Sequence, residues 1–466
     1  MTRRPTFRTP LLALSLCAPA LLEAQAARLP AAAQVRRVAD SLARAFIAHN
    51  DAPGTAIAIV RGTDTLLFHG YGSANLELGV PVAVTSVFRV GSVTKQFTAS
   101  AVMQLVEIGT LSLADSIGQW VPNLPATWRP ITITQLLNHT SGIPSYTEAG
   151  ESWMKRWGEE MTGADIVALT ADKPFDFAPG TSWKYNNTGY VLLGMLLEAR
   201  MGHGWGDEFT RRFFTSLGMT RTRYCEVQPL IAGRAAGYSR NEKDEWVNAR
   251  YLAMSQPAAA GALCSTIGDM LTWNRALHGG TVVTPASYTA MTTPAGSAVP
   301  RGYGFGLGVD SVDGHRVISH SGGIPGALTA NMWVPEAQLS VTVLTNGDFR
   351  NPDPLAKQLV RAALGLPLDV PPRGVTLTAA ALASYTGEFD VTIDGPHVFK
   401  IYVQDGKLYG MMDVQTPELL IPLGNDTFAV TFNKDVRLTI TMDGGKAAAL
   451  TFGRPDSVGW TGKRKP

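Results

Sequence analysis

The placement of the β-periodic segments constrains this 466-residue chain more than any other feature. Thr55–Val60 and Thr65–Tyr71 are rich in β-forming residues, and Arg61-Gly62-Thr63-Asp64 between them predicts a hairpin. Comparable periodicity returns far along the chain, at 317–320, 327–334 and 339–345, with turns expected at Gly322-Gly323 and Pro335-Glu336. Between these groups, from Ser92 to His278, the pattern is mostly helical and broken by Pro- and Gly-containing loops. One helix is expected over 31–50, with Val35, Val38, Leu42 and Phe46 on one stripe, and another over 354–364. The economical solution is an α/β (α+β) fold: one antiparallel sheet built from both ends of residues 31–365, flanked by helices, with a helical subdomain inserted beside it.

A Pro-rich stretch, 366–374, reads as a linker. Beyond it, 375–466 carries short alternating strands from Gly387 to Phe452. Asp394-Gly395, Asp405-Gly406 and Asp443-Gly444 supply hairpin turns. This segment is expected to form a small all-β, barrel-like, lipocalin-like domain.

The N-terminus has the order of a cleavable secretory signal: Arg3, Arg4 and Arg8, then the apolar run 11–22, then Ala24-Gln25-Ala26. Residues 1–26 are therefore expected to be removed and the protein to be secreted or periplasmic. Removal takes away three arginines and Glu23, bringing the formal charge from +2 to zero. A neutral protein has no electrostatic reason to seek nucleic acid or an anionic membrane. No run reaches the roughly 18 apolar residues of a transmembrane segment. The two cysteines that remain, Cys225 and Cys264, are expected to form a disulfide in an oxidising compartment.

Three short motifs carry chemistry. Ser92-Val93-Thr94-Lys95 precedes an apolar helical stretch. Residues three apart on a helix share a face, so the Lys95 amine would sit beside the Ser92 hydroxyl, and desolvation would lower its pKa. A serine hydroxyl needs such a base to act as a nucleophile. A second Ser-x-x-Lys, Ser152 to Lys155, lies among charged residues and reads as an exposed helix. Tyr185-Asn186-Asn187 is the one Tyr-x-Asn of the chain. Its phenol can act as base toward serine, and the Asn187 amide can position a substrate carbonyl. His320-Ser321-Gly322-Gly323 closes a strand, where a cation or donor can hold substrate and a backbone N–H can complete an oxyanion hole with that of Ser92. His278-Gly279-Gly280 reads as a helix end instead.

Ser-x-x-Lys, Tyr-x-Asn and His-x-Gly in this order resemble the serine β-lactamase and penicillin-binding protein superfamily. The branch indicated holds the class C β-lactamases, D-alanyl-D-alanine carboxypeptidases and esterases of that fold. The stretches 136–144, 260–266 and 320–326 support the resemblance, which covers roughly residues 35 to 365. It implies Ser92 as acylated nucleophile, Lys95 and Tyr185 as proton-transfer partners, and Asn187, His320, Gly322 and Gly323 as substrate-binding residues. It further implies a small-molecule or peptide substrate, one source being the cell wall; no cofactor is expected, and the eight scattered histidines give no expectation of a metal site. Histidine stands at 320 where many relatives have lysine, which favours an esterase or peptidase over an efficient β-lactamase. Gly-x-Ser-x-Gly, His-Glu-x-x-His and a phosphate loop are all absent, so α/β-hydrolase, zinc-hydrolase and nucleotide-binding readings have no support. The alternative is a catalytically silent peptidoglycan- or peptide-binding protein on the same fold. The sequence leaves the oligomeric state open.

Overall fold

A computed structural model describes residues 29–465 apart from 370–371, 394–395, 414–416, 431–435 and 455–456. The expected signal peptide and the Asp394-Gly395 turn lie outside the described residues.

Helix α1 (Ala32–Ala48) leads into β1 (Gly54–Arg61) and β2 (Asp64–Asn75), the expected hairpin. A two-residue strand, β3 (Val80–Pro81), extends its edge. The chain then leaves the sheet for the helical block and returns as β4 (Gly308–Val312), β5 (His315–Ile324), β6 (Ala327–Val334) and β7 (Leu339–Thr345). The sheet is antiparallel in the order β3-β2-β1-β7-β6-β5-β4, so the two ends of the domain meet where Thr55 pairs with Thr345.

Both faces of the sheet are covered, which is why β1 is buried over all but its last residue. Ile57 and Ile59 pack with Val341 and Val343 under α1 and α4 (Asp353–Leu364), where Val35, Phe46 and Leu359 are buried. The small side chains of Ala56 and Ala58 face the helical block, whose centre is α2 (Thr94–Glu107) and α3 (Asn187–Met201). Alternation between the two cores fixes the register, since a one-residue slip would exchange them.

Two expectations about this sheet change. Gly322-Gly323 is not a turn: β5 runs through it to Ile324, and the chain reverses at Pro325-Gly326. A Cβ on Gly322 would come 2.0 Å from the Val90 carbonyl oxygen, so the residue is small because another backbone lies against it. In addition, β4 pairs with β5 only as far as Ser319, which leaves residues 320–324 of β5 unpaired on that edge.

Past the linker, the short helix Ala379–Tyr385 precedes a closed barrel of eight antiparallel strands between Gly387 and Arg464. The barrel was expected; its eighth strand, Ser457–Arg464, and the helix were not. Among the described residues, no helix is long and apolar enough to cross a membrane.

Candidate active site

The site is assembled where the inserted block meets the β5 edge. Residues 91–93 form a single 3-10 turn that runs directly into α2. Gly91 takes φ +53°, and a Cβ there would stand 2.7 Å from the Gly323 nitrogen, so glycine is required on both counts. The turn presents Ser92 toward the cleft, and Lys95, in the first turn of α2, reaches back to it. Lys95 Nζ lies 3.1 Å from Ser92 Oγ, 2.8 Å from Asn187 Oδ1 and 2.8 Å from the Ala260 carbonyl oxygen.

The Lys95 side chain is fully buried, and burial holds its pKa well below the usual lysine range, with no acidic group acting against it. A neutral amine has two protons and one lone pair. In that form the two carbonyl oxygens can take the protons and leave the lone pair for the Ser92 hydroxyl. Tyr185 and Tyr190 present their rings to the same nitrogen at 4.7 and 5.4 Å from the centroids.

Tyr185 Oη is buried and has no complete hydrogen bond among the described residues, although the Ser92 hydroxyl acts on it. Burial raises the phenol pKa, and Ser92 only partly opposes that rise. Asn186 caps α3 through Gly189 N–H at 2.6 Å and so fixes Asn187 as its first residue. Asn187 is held from its other side, its N–H donating to Ser145 Oγ at 3.2 Å and its amide to Thr147 Oγ1 at 3.3 Å.

His320 departs from the sequence expectation. It is 7% exposed, and burial pushes its pKa down to about 3. Nδ1 donates to the Ser321 carbonyl oxygen at 2.6 Å, and Nε2 accepts from Tyr303 Oη at 2.8 Å. A neutral ring with both nitrogens engaged is neither a cation nor a free donor for a substrate carboxylate. It braces the β5 edge instead. Gly322 and Gly323 follow it directly beside Gly91 and Ser92.

The expected disulfide is absent: Cys225 and Cys264 are buried free thiols. In the strand pair that holds them, Arg223 faces Cys264, and Cys225 N–H bonds the Ala262 carbonyl at 2.9 Å. The cysteines are thus diagonal across the pair. Such neighbours stand about 7–8 Å apart, beyond the usual reach of a disulfide of about 6.8 Å.

The structure therefore gathers Ser92, Lys95, Tyr185, Asn187, His320, Gly322 and Gly323 in one place and leaves the cysteine pair outside it. The second Ser-x-x-Lys takes no part in these contacts: Lys155 is exposed and paired to Glu151 at 2.7 Å. His278 ends a helix and stacks on Trp333 with ring centroids 4.9 Å apart. Three contributors carry no motif of their own. Tyr303 comes from a loop before β4, the Ala260 carbonyl from the helix 258–261, and His139 accepts the Asn186 N–H at 3.2 Å. The stretches 136–144 and 260–266 were the only sequence signal near the last two.

A two-sided sheet with an inserted helical block, and Ser-x-x-Lys, Tyr-x-Asn and His-x-Gly converging between them, define the β-lactamase and penicillin-binding protein superfamily. Residues 39–365 match the Beta-lactamase family, and the chain belongs to it. It is 27% identical over 425 residues to Penicillin-binding protein 4* of Bacillus subtilis (strain 168), covering 85% of this chain and 92% of that protein. A solved D-stereospecific amidohydrolase from Streptomyces sp. is similar, at 27% identity and TM-score 0.62, covering 72% of this chain and 98% of that one. A penicillin-binding protein homologue from Pyrococcus abyssi, at 24% identity and TM-score 0.67, covers 91% of this chain and 99% of its own, and shows that the fold extends through most of the barrel.

Proposed function

We propose that the protein is an exported serine hydrolase that cleaves amides or esters of D-configured amino acids through an acyl-enzyme at Ser92. The observation that carries this reading is the buried Lys95 amine, 3.1 Å from Ser92 Oγ and 2.8 Å from both Asn187 Oδ1 and the Ala260 carbonyl oxygen, with its pKa held down by burial.

Ser92 Oγ attacks the substrate carbonyl while its proton moves to Lys95 Nζ. The oxyanion is held by the N–H groups of Ser92 and Gly323, and Asn187 orients the substrate's carbonyl. The leaving nitrogen or oxygen takes a proton from Tyr185 Oη, which recovers one from Lys95. The C–N or C–O bond breaks and the acyl group remains on Ser92; water, deprotonated along the same path, then releases the acid and restores the serine. Because burial raises its pKa, Tyr185 serves in this scheme as proton donor to the leaving group and Lys95 as the base. Tyr185 borders the cleft, and its buried hydroxyl, which has no complete hydrogen bond among the described residues, supports that role. The unpaired β5 edge, 320–324, offers backbone groups to an extended substrate.

The neutral His320 argues against a free carboxylate as the main recognition element, and so favours an amidase, aminopeptidase or esterase over a carboxypeptidase. The similarity to a D-stereospecific amidohydrolase supports the D-amino preference. A panel of D- and L-amino-acid p-nitroanilides, p-nitrophenyl esters and nitrocefin tests it. D-amides or esters should be hydrolysed, and Ser92→Ala should remove the activity by a factor of about 10³ or more. L-selectivity, or a Ser92→Ala rate equal to wild type, overturns the proposal. Export is tested by N-terminal sequencing, which should begin at Ala27.

A further inference from the structure

The barrel is not simply appended. Part of its lumen is packed, by Phe389, Leu408, Leu438 and Ile440, and part borders a cavity shared with the catalytic cleft. A cavity of about 1030 Å³ joins the two, at the upper end of the roughly 300–1,000 Å³ that encloses small-molecule ligands. On one side it is bounded by Tyr185, Gly322 and Gly323, three of the residues around Ser92. On the other it is bounded by cross-strand pairs of the barrel: Phe399 opposite Met412, Leu420 opposite Val430, and Phe452 opposite Trp460. Directly opposed residues share a face, and Phe399, Leu420 and Val430 are buried, so these pairs line the lumen. Trp460 stacks on Phe452 at 4.6 Å and meets the edge of Phe399 at 5.5 Å, giving a continuous apolar wall.

The rim carries cations that are already neutralised. Lys184 is paired with Glu148 at 2.6 Å and Asp176 at 3.2 Å, and Lys357 with Asp310 at 3.1 Å. Arg350 ties the barrel to the hydrolase domain by donating to the Pro417 carbonyl oxygen at 2.9 Å. An apolar wall whose rim cations are paired, and which the carboxylates of Asp353 and Glu418 also border, fits an uncharged hydrophobic group better than an anion.

We propose that the open end of the barrel is a second part of the substrate site, taking the alkyl or aryl N-acyl group of the molecule whose carbonyl lies at Ser92. The substrate class is thus an N-acylated D-amino amide or ester. This deepens the acyl-transfer reading and rests on it for the placement of the carbonyl.

The test is calorimetric binding of N-octanoyl-D-alaninamide and N-acetyl-D-alaninamide to full-length Ser92→Ala, which has no need of turnover. Each methylene fully buried strengthens binding about fourfold, so partial burial of six should favour the octanoyl compound by roughly 30-fold or more. In the same background Met412→Glu should lower that ratio about tenfold, Trp460→Ala should lower it too, and Met412→Leu should preserve it. Melting temperatures identify any variant that fails to fold, in which case the other carries the test. A ratio near one, or a ratio that neither variant moves, overturns the inference. If the octanoyl preference is present but wild type hydrolyses neither compound, the apolar site stands and the acyl-transfer reading falls. If wild type hydrolyses both with equal kcat/KM and the binding ratio is one, the acyl-transfer reading stands and the barrel site falls.

Discussion

Replacing Lys95 by methionine should change how stability depends on pH as well as removing a base. In the unfolded chain Lys95 titrates near 10.4, whereas in the folded chain burial holds its pKa well below that. Between the two values the unfolded state binds a proton that the folded state does not, so stability rises with pH across that window. One proton corresponds to about 1.4 kcal/mol per pH unit at most. Lys95→Met removes this dependence and leaves the other titrating groups in place. Urea unfolding of wild type and Lys95→Met, measured at half-unit steps from pH 6 to 9.5, yields the difference in their stabilities at each pH. That difference should move in favour of wild type as pH rises, with a slope approaching 1.4 kcal/mol per unit inside the window. Methionine also leaves the Ala260 carbonyl and the Asn187 amide oxygen without their donor, at about 1–3 kcal/mol each, which offsets the curve without tilting it. A difference that stays flat from pH 6 to 9.5 would mean that Lys95 keeps its ordinary ionisation, and the neutral-amine argument would be refuted.

Four further outcomes follow from named contacts. Tyr185→Phe should slow acylation by about 10²-fold with little change in substrate binding, read by stopped-flow of the first turnover. Gly91→Ala forces a Cβ to 2.7 Å from the Gly323 nitrogen at φ +53°, so both the melting temperature and the acylation rate should fall. Tyr303→Phe leaves the buried His320 Nε2 without its donor and should cost about 1–3 kcal/mol in urea unfolding; an unchanged midpoint would mean that His320 is not held as described. Cys225 and Cys264 should both resist iodoacetamide in the folded protein and both react in urea without reductant, whereas an intact mass 2 Da low would reveal a bridge.

Much of the site was legible because it depends on short-range geometry. The i, i+3 spacing of Ser92 and Lys95 places both on one helical turn, and Asn187 is fixed by the cap that Asn186 makes one residue earlier. What could not be read was supplied from afar or through the backbone. The Ala260 carbonyl has no side-chain signature, and Tyr303 reaches His320 from a loop with no pattern of its own. His320 read as a cation or donor for substrate because His-x-Gly-Gly closes a strand, with a turn expected at its glycines. In three dimensions the glycines continue a strand so that the backbone at Val90 can approach, and the histidine is buried beside them. The sheet was visible from its long apolar strands. The edge strand Gly308–Val312 was hidden because its middle residues are exposed or half-buried. The last barrel strand, Ser457–Arg464, was hidden by its glycines and lysine, with Trp460 the one large apolar side chain in it. The cysteines show the limit of counting: an even number suggested a bridge, but strand register decides it, and the register sets them diagonally.

Covalent capture tests the central claim most directly. The folded enzyme, treated with a fluorophosphonate and examined by intact mass, should gain one adduct per chain, located by peptide mapping on Ser92. Labelling should be lost in Ser92→Ala and strongly slowed in Lys95→Met. An adduct on another residue, or equal labelling of Ser92→Ala, would contradict the account.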